Sequence, residues 1–215
     1  MKSISLYKFG GSADVVRRIQ GPYVEFFRSA GPVLDIGCGR GIFLELLAKA
    51  GIEAVGVDAS QAAVAACQEK GFKVHCESAQ SYLHRSPNQF GGIFCSHVIE
   101  HMGYDGALNT LELCYNALHP GGSLLVITPN AQDLEVIAEM FWLDPTHVRP
   151  YPKPLLKTML EAVGFHIKLE KQYLGTWRMV GRRNLPVYLF RRFLLGKYFG
   201  KPNTLMLATK ESHSI

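Results

Sequence analysis

The feature that most constrains the fold of this 215-residue chain is a glycine-rich turn directly after a short apolar run. Residues 33–41 read VLDIGCGRG, and the next apolar run, AVGV, ends in Asp58. Helical patterns and apolar runs then alternate, which is typical of βαβ units that build a parallel sheet with helices on both faces. The pattern predicts a doubly wound α/β fold with the glycine turn at the carboxyl edge of the sheet.

Seven apolar runs have the length and composition of strands. They are PVLDIG, AVGVD, FKVHCES, GGIFCSH, GSLLVIT, HIKLEKQ and TLMLATK. Helical patterns separate the first five runs, whereas no helix of normal crossover type is evident between the last two. We therefore predict a Rossmann-like, seven-stranded, mostly parallel sheet with an antiparallel edge strand.

The length and composition predict one domain, residues 1–215. Such a chain can bury about 70% of its unfolded surface in one core, and 47% hydrophobic with 19% charged residues is an ordinary globular composition. Three segments of the domain are predicted to lie outside the regular alternation of strands and helices. They are a leading helix or lid within 1–30, a substrate-site insertion at 131–165 and a basic, aromatic-rich helical region at 175–203.

The cysteines and the start of the chain bear on the cellular compartment. The five cysteines are scattered without a C-x-x-C pair, so neither a disulfide framework nor a zinc site is predicted. The first residues lack the apolar core of a signal peptide, and no run approaches the roughly 20 apolar residues that span a bilayer. These features predict a cytoplasmic protein.

The positive charge of the chain is concentrated towards its C-terminus. From Lys168 onward there are ten Lys or Arg residues and two Glu residues. A basic, aromatic-rich helix within 184–201 could contact a membrane surface peripherally, or it could pack on the sheet with its arginines solvated. We do not expect nucleic acid as a partner, because no motif that reads RNA or DNA accompanies the charge.

The spacing of the glycines separates two candidate cofactors. Gly37, Gly39 and Gly41 have one residue in each gap, whereas the common dinucleotide turn has two residues before its last glycine. Asp35 would face the pyrophosphate of NAD unfavourably, but it suits the ammonium and sulfonium groups of S-adenosylmethionine. Asp58 could accept both ribose hydroxyls through its two oxygens. S-adenosylmethionine is therefore the predicted cofactor.

Three stretches in order resemble the motifs of class I S-adenosylmethionine-dependent methyltransferases. They are VLDIGCGRGIFLELLAKAGIEAVGVDAS, FGGIFCSHVIEHM and LHPGGSLLVITPN. The resemblance implies a methyl-transferring enzyme and a set of cofactor-binding residues. This set comprises Asp35, Gly37, Cys38, Gly39, Gly41, Asp58, Ala59, Ser78, Ala79 and His97.

The resemblance also implies which part of the cofactor each region contacts. Gly37 to Gly39 would lie against the amino-acid part, Ser78-Ala79 beside the adenine, and His97 near the methionine end. The family often has Asp-Ala at the adenine position. The usual acid is therefore missing here or is replaced by Glu77 or Gln80.

Titratable residues follow the fourth strand at the mouth of the predicted cleft. The stretch SHVIEHM contains His97, Glu100 and His101. An oxygen nucleophile must lose or share its proton during methyl transfer, so we predict His101 as a general base that Glu100 orients. Alternatively, the three residues bind a divalent metal, or Glu100 and His101 only cap a helix. The stretch resembles quinone-biosynthesis O-methyltransferases, but His97 replaces the first of their acids, so no metal is predicted.

A proline-rich stretch after the fifth strand supplies further candidates. Residues 144–152 read DPTHVRPYP. His147 is a second candidate base, and Arg149 could bind a phosphate or carboxylate through two hydrogen bonds. Arg149 and Tyr151 are the predicted substrate-binding residues. The alternative is a stiff connector whose polar side chains bond only to carbonyls.

A second resemblance concerns the acceptor. The start FGGS, the leading helix with Gln20 and Tyr23, and FWLDPTHVRPYP are similar to methyltransferases of bacterial surface-polysaccharide synthesis. This similarity implies O-methylation of a saccharide, sugar-phosphate or glycolipid precursor. The alternatives are a quinone-type small-molecule O-methyltransferase, a nucleic-acid methyltransferase, and a cofactor-binding module that partners a glycosyltransferase.

Overall fold

A computed structural model describes residues 12–173 and 185–212 and contains the predicted seven-stranded sheet. The strands are β1 Val33–Ile36, β2 Ala54–Asp58, β3 Val74–Cys76, β4 Phe90–Ser96, β5 Leu118–Pro129, β6 His166–Tyr173 and β7 Asn203–Thr209. Their order across the sheet is β3-β2-β1-β4-β5-β7-β6. The order reverses between β1 and β4, and ligands of open α/β sheets bind beside such a switch point.

The pairing of the strands confirms the predicted fold class. β1 to β5 pair in parallel, and β7 pairs antiparallel with both β5 and β6. The antiparallel strand is thus β7, second from the edge, and β6 forms the edge itself. A helix, Leu185–Leu195, lies between β6 and β7 in the chain, but strands that pair antiparallel need no right-handed crossover.

Helices cover both faces of the sheet. They are α1 Ala13–Gln20, α2 Ile42–Lys49, α3 Gln61–Gln68, α4 Ala79–His84, α5 Tyr104–Ala117, α6 Leu134–Ala138, α7 Lys153–Val163 and α8 Leu185–Leu195. Short 3₁₀ segments occupy Gly21–Phe27, Ile99–His101, Met140–Leu143 and Gly196–Tyr198. Local sequence signals mark two of the helix ends: the Ser60 side chain accepts from the Ala63 amide at the start of α3, and α7 ends at Gly164.

Two apolar layers enclose the sheet. Leu34 and Ile93 point to the layer formed with α4, α5 and α7, whereas Val33 and Phe94 point to the layer formed with the leading segment and α2. Neighbouring strand residues alternate between these layers because successive side chains of a strand point to opposite faces. The ring of Phe43 stacks on Phe94 with centroids 3.8 Å apart, so the start of α2 is fixed beside β4.

Parts of two predicted regions fall outside the described residues. The lid region, 1–30, is described from residue 12, so most of FGGS lies outside. The basic region, 175–203, is described from residue 185. No helix of the described part has the length and apolar character needed to cross a membrane. All five cysteines are free thiols.

Candidate cofactor and acceptor site

The glycine turn connects β1 to α2 at the carboxyl edge of the sheet. Gly37, Gly39 and Gly41 have φ values of 66°, 51° and 73°, a backbone region that other residues rarely adopt. The Gly37 amide donates to the Val57 carbonyl at 2.8 Å, which ties the turn to β2. A Cβ on residue 37 would lie 2.6 Å from Val98 Cγ2, so only glycine fits there. The turn therefore has little side-chain bulk, and its backbone faces the space at the carboxyl edge of the sheet.

Asp58 holds the turn against the end of β2. Its Oδ2 accepts from the Gly39 amide at 2.8 Å, and its Oδ1 accepts from the Ser60 amide at 2.8 Å. Each carboxylate oxygen can accept a further hydrogen bond, and the side chain is partly exposed. The predicted contact with the ribose is therefore still available to Asp58. Sequence reasoning missed its second task, which is to shape the glycine turn.

Two buried polar atoms face the cleft between α1 and the glycine turn. Asp35 Oδ2 and Gln20 Oε1 are the buried side-chain atoms that lack a hydrogen-bond partner within the described residues. Both residues line the cleft, together with Val16, Phe43 and Ser96. An unpaired buried acceptor costs about 1–3 kcal/mol, so a ligand that donates hydrogen bonds would be favoured here. The ammonium end of S-adenosylmethionine fits this requirement.

The burial of Asp35 affects how readily its carboxyl ionises. Burial raises the pKa of the Asp35 carboxyl well above its usual range, and the nearby charge of Asp58 raises the pKa further. A positively charged ligand beside Asp35 would favour the ionised form. The cleft is therefore suited to a cationic ligand, whose charge would offset the cost of ionising Asp35.

The residues predicted to contact the rest of the cofactor lie around the same edge of the sheet. Ala59 and Ser78 are exposed at the ends of β2 and β3, and Ala79 begins α4. The Cys38 side chain is buried, and a Cβ on Gly56 would lie 2.8 Å from its sulfur. Only the backbone of Cys38 can therefore face a ligand.

The two candidates for the missing adenine acid both have protein partners. Glu77 pairs with the guanidinium of Arg85, and Gln80 Nε2 donates to Thr110 Oγ1 at 2.9 Å. Either side chain would have to give up or share its present bond to accept from an adenine amine. Their roles at the adenine stay predictions.

Glu100 is bonded to a different histidine from the one predicted. Its Oε1 lies 2.9 Å from His97 Nδ1, and its Oε2 accepts from Thr128 Oγ1 at 3.2 Å. Glu100 is fully buried, and His97 has a φ of 56°, which is uncommon outside glycine. The prediction that Glu100 orients His101 is therefore corrected, because the turn after β4 directs the His97 ring back to the carboxylate.

The two predicted bases meet in space. The ring centroids of His101 and His147 are 4.7 Å apart. His101 Nδ1 lies 2.8 Å from Thr146 Oγ1, and His147 Nδ1 lies 2.6 Å from the Phe141 carbonyl oxygen. Because a carbonyl only accepts, neutral His147 carries its proton on Nδ1 and leaves Nε2 as an acceptor.

Backbone bonds hold the proline-rich stretch against the 3₁₀ segment Ile99–His101. The amides of Val148 and Arg149 donate to the Glu100 carbonyl at 2.8 and 3.3 Å. As a result, Glu100, His101 and His147 each offer an oxygen or nitrogen atom within 4.8 Å of the others. The structure thus brings together the three residues that the sequence named as catalytic. The three groups can therefore take part in proton transfer, and they also lie close enough together to hold a divalent metal ion.

Arg149 and Tyr151 have different environments. The Arg149 guanidinium lies 5.3 Å from the centre of the Tyr151 ring and 5.9 Å from that of Tyr104. Tyr151 is fully buried, and its hydroxyl donates to the Met102 carbonyl at 2.9 Å. The prediction that Tyr151 contacts the substrate is therefore corrected: its ring belongs to the core, and the Arg149 guanidinium lies over it.

Sequence reasoning missed Asp144 and Thr146 as site residues. Asp144 Oδ1 accepts from both the amide and the hydroxyl of Thr146, at 2.9 and 2.6 Å. The signal was present in the sequence Asp-Pro-Thr, since an Asp often bonds to the backbone two residues later. That Thr146 would also reach His101 could not be read from this local pattern.

Known proteins with similar sequences point to the same class. A sequence model of the methyltransferase domain family matches residues 13–170. The ubiquinone biosynthesis O-methyltransferase of Methylococcus capsulatus is 33% identical over 103 residues, which are 45% of this chain and 43% of that protein. The Pseudomonas putida W619 protein of the same name is 33% identical over 104 residues, 46% of this chain and 44% of that protein. The matches thus span less than half the length of these curated relatives.

Solved structures support the fold over nearly the whole chain. A SAM dependent methyltransferase from Archaeoglobus fulgidus has a TM-score of 0.83 and 29% identity, and the match covers 95% of this chain and 97% of that one. The [4+2]-cyclase SpnF, at 19% identity and a TM-score of 0.69 over 93% of this chain and 83% of its own, shares the fold alone. The chain therefore belongs to the methyltransferase domain family, and S-adenosylmethionine is the cofactor of its class I fold.

Proposed function

We propose that the chain methylates a hydroxyl oxygen of a small acceptor. The observation that carries the proposal is the contact between His101 and His147. His101 follows β4, whose last residue, Ser96, lines the cofactor cleft, and His147 lies in the stretch after β5. Bound S-adenosylmethionine would supply the methyl group to the acceptor oxygen, and its sulfur would leave with the electron pair of the carbon–sulfur bond. His101 Nε2 takes the hydroxyl proton.

The protein contributes mainly by alignment and by accepting this proton. Holding the acceptor oxygen in line with the methyl group can lower the barrier by about 7–11 kcal/mol. A positioned base adds roughly 10²–10⁴-fold in rate. The glycine turn and Asp35 serve the first task, and His101, with His147 beside it, serves the second.

The surface next to the histidines favours an acceptor with an apolar body. Met140, Trp142, Leu143 and Val148 all lie in or near the proline-rich stretch, and each is about half exposed. Ligand sites combine such apolar walls with a few polar groups. The named relatives are ubiquinone biosynthesis O-methyltransferases. We therefore place a phenolic, quinone-type acceptor ahead of the saccharide that the sequence resemblance implied.

Arg149 gives a second candidate acceptor, a sugar phosphate. Its guanidinium lies over two tyrosine rings and has no acidic partner within the described residues. A guanidinium with free donors binds a phosphate or carboxylate through two hydrogen bonds. An anionic substituent on the acceptor would therefore be recognised here.

One acceptor screen tests both candidates and the non-enzymatic alternative. We would measure S-adenosylhomocysteine formation, and the methylated product by mass spectrometry, with a dihydroxyphenol carrying an apolar tail and with sugar phosphates. We expect turnover of the phenol, and we expect Arg149→Gln to raise KM for anionic acceptors only. Cofactor binding without turnover of any acceptor would instead favour a cofactor-binding module.

We further propose that α8 contacts a membrane surface, where a lipid-linked acceptor would be met. Val187, Leu189, Phe190, Phe193 and Leu194 are all exposed, with Phe193 at 84%. Arg191 is exposed on the same helix, and a basic, apolar helix is typical of interfacial binding.

Flotation with vesicles that contain anionic lipid tests this contact. We expect the protein to float with the vesicles and the double variant Phe190→Ser, Phe193→Ser to remain at the bottom. Leu134→Ser is the matched control, because Leu134 is an exposed apolar residue of α6. Equal flotation of all three proteins would contradict a role of α8.

A further inference from the structure

We infer that Asp144 and Thr146 are positioning residues that hold His101 in the tautomer required of a general base. The inference rests on the proposed function, in which His101 Nε2 takes the acceptor proton. It goes beyond that function because it names the groups that decide which ring nitrogen is free and which of the two histidines acts.

The three side chains form a continuous chain of hydrogen bonds. Asp144 Oδ1 lies 2.6 Å from Thr146 Oγ1, and Thr146 Oγ1 lies 2.8 Å from His101 Nδ1. A hydroxyl has one proton to donate and can accept further bonds. The direction of the whole chain therefore depends on where the Thr146 proton goes.

The Thr146 proton must point to Asp144. An ionised carboxylate only accepts, so a 2.6 Å separation from a hydroxyl oxygen requires the hydroxyl to donate. Thr146 Oγ1 is then an acceptor towards His101, and His101 Nδ1 must carry the proton that joins them. Neutral His101 thus has its lone pair on Nε2, as a general base needs.

Asp144 is prepared locally for this task. Its backbone precedes Pro145, has extended ψ of 110°, and lets Oδ1 accept the Thr146 amide at 2.9 Å. Burial raises the pKa of Asp144, whereas the hydrogen bonds from Thr146 and the charges of the two histidines lower it. The lowering effects are together larger, so the pKa of Asp144 lies below its usual range. Asp144 is therefore an anion at neutral pH.

The relay also separates His101 from His147. His147 Nδ1 donates to a neutral main-chain carbonyl, that of Phe141, whereas His101 Nδ1 has a carboxylate behind its hydroxyl partner. The charge of Asp144 acts on both rings, so the difference between them lies in the hydrogen bonds: only the His101 ring is joined through a hydroxyl to a carboxylate. The proton-accepting role is thus assigned to His101, and its ring returns the proton to solvent after transfer.

The first test needs no acceptor and no turnover. Nitrogen-15 NMR of labelled protein in buffer with EDTA, with the His101 signals assigned from a His101→Gln variant, reports which ring nitrogen carries the proton. We expect a protonated Nδ1 in the wild type and in Thr146→Ser, and loss of this preference in Thr146→Val and Asp144→Asn. A protonated Nε2 in the neutral wild-type ring would overturn the relay.

The second test is kinetic. We expect Thr146→Val to lower kcat about 10- to 100-fold, with the affinity for S-adenosylmethionine and the acceptor KM unchanged, and Thr146→Ser to restore kcat. Thr209→Val, the same substitution in β7, should have no effect. An unchanged kcat in Thr146→Val, or an equal loss in Thr146→Ser, would overturn the relay. Absence of turnover in the wild type would overturn the proposed function instead, and the NMR result would still decide the relay.

Discussion

The cofactor half and the acceptor half of the site differ in how the chain builds them. The cofactor half consists of the turn at Gly37–Gly41 and Asp58, which belong to one βαβ unit and bond directly to each other. The acceptor half joins the 3₁₀ segment after β4 to a stretch after β5, through the Thr146–His101 bond and two amides on the Glu100 carbonyl. Glycine conformation and strand order fix the first half, whereas packing between distant segments fixes the second.

Because different segments build the two halves, each half can be disrupted separately. Residues that shape the glycine turn should control cofactor affinity, and residues that connect the two distant segments should control the rate of methyl transfer. A substitution that disrupts one half should therefore leave the property that the other half controls largely unchanged.

The largest effect is expected from His101→Ala, which removes the proposed base. We expect kcat to fall by about 10²–10⁴-fold, while calorimetric titration with S-adenosylmethionine gives an unchanged affinity. His147→Ala should cost less, because only His101 has a carboxylate behind its Nδ1 partner. Full activity in the His101→Ala variant, or a larger loss in His147→Ala, would show that the base has been assigned to the wrong residue.

The corresponding experiment on the cofactor half is Asp58→Ala. The Asp58 carboxylate accepts the Gly39 and Ser60 amides and is the predicted ribose ligand, and hydrogen bonds to a charged group contribute about 1.5–3 kcal/mol each. We expect the calorimetric Kd for S-adenosylhomocysteine to rise at least 10-fold, with kcat at saturating cofactor changed much less. Asp105→Ala, in the first turn of α5, serves as the control. Retained affinity in Asp58→Ala would remove Asp58 from the cofactor site.

Local patterns were sufficient to predict the sheet and the cofactor half. Strand periodicity and the Gly-x-Gly-x-Gly turn require no knowledge of distant contacts, and the end of β2 must lie beside the end of β1 in a parallel sheet. The seven strands and the cofactor class follow from these signals. The ends of helices with a clear signal, such as Ser60 and Gly164, were also readable from sequence.

The acceptor half could be predicted only as a set of residues. Sequence placed Glu100, His101 and His147 in the site, but not the partner of each. Glu100 bonds to His97 because the chain turns back at the positive φ of that residue, and no periodic pattern signals such a turn. Tyr151 lies in a stretch whose polar and aromatic residues are typical of a binding site, yet three-dimensional packing places its ring in the core.

Asp35→Asn should affect cofactor binding and fold stability in opposite directions. The raised pKa of buried Asp35 means that the folded state disfavours ionisation, so above a pH of about 4 the carboxylate destabilises the cofactor-free protein increasingly as pH rises towards the folded pKa. A neutral amide removes this cost, and each 1 kcal/mol gained raises Tm by about 2–4 °C. Binding of the cationic cofactor should weaken, because the amide offers it no charge.

Thermal unfolding at pH 8 with and without S-adenosylmethionine measures both effects. Without the cofactor, we expect Asp35→Asn to have a higher Tm than the wild type. When S-adenosylmethionine is added, the Tm of Asp35→Asn should rise less than that of the wild type. Asp14→Asn is the control, since Asp14 is an exposed acid of α1. A lower Tm for cofactor-free Asp35→Asn would mean that the carboxylate contributes to the fold rather than being retained for the ligand.

The smallest effect concerns His97, whose side chain bonds to Glu100. Burial lowers the pKa of His97, but the hydrogen bond and the charge of Glu100 raise it more, so the net pKa lies above the usual value. The pair therefore contributes stability that is fully present below about pH 6.5 and is lost as pH rises through the folded pKa. Because the ring is 46% exposed, solvent screening limits the contribution to within about 1 kcal/mol.

Urea unfolding of the wild type and His97→Gln at pH 6 and pH 9 tests this linkage. The difference in unfolding free energy between the two proteins should be larger at pH 6, where the wild-type ring is charged. His119→Gln, at a histidine without an ion pair in the described residues, should show no such pH dependence. If His97→Gln lost the same stability at both pH values, the ring would act only as a neutral hydrogen-bond partner.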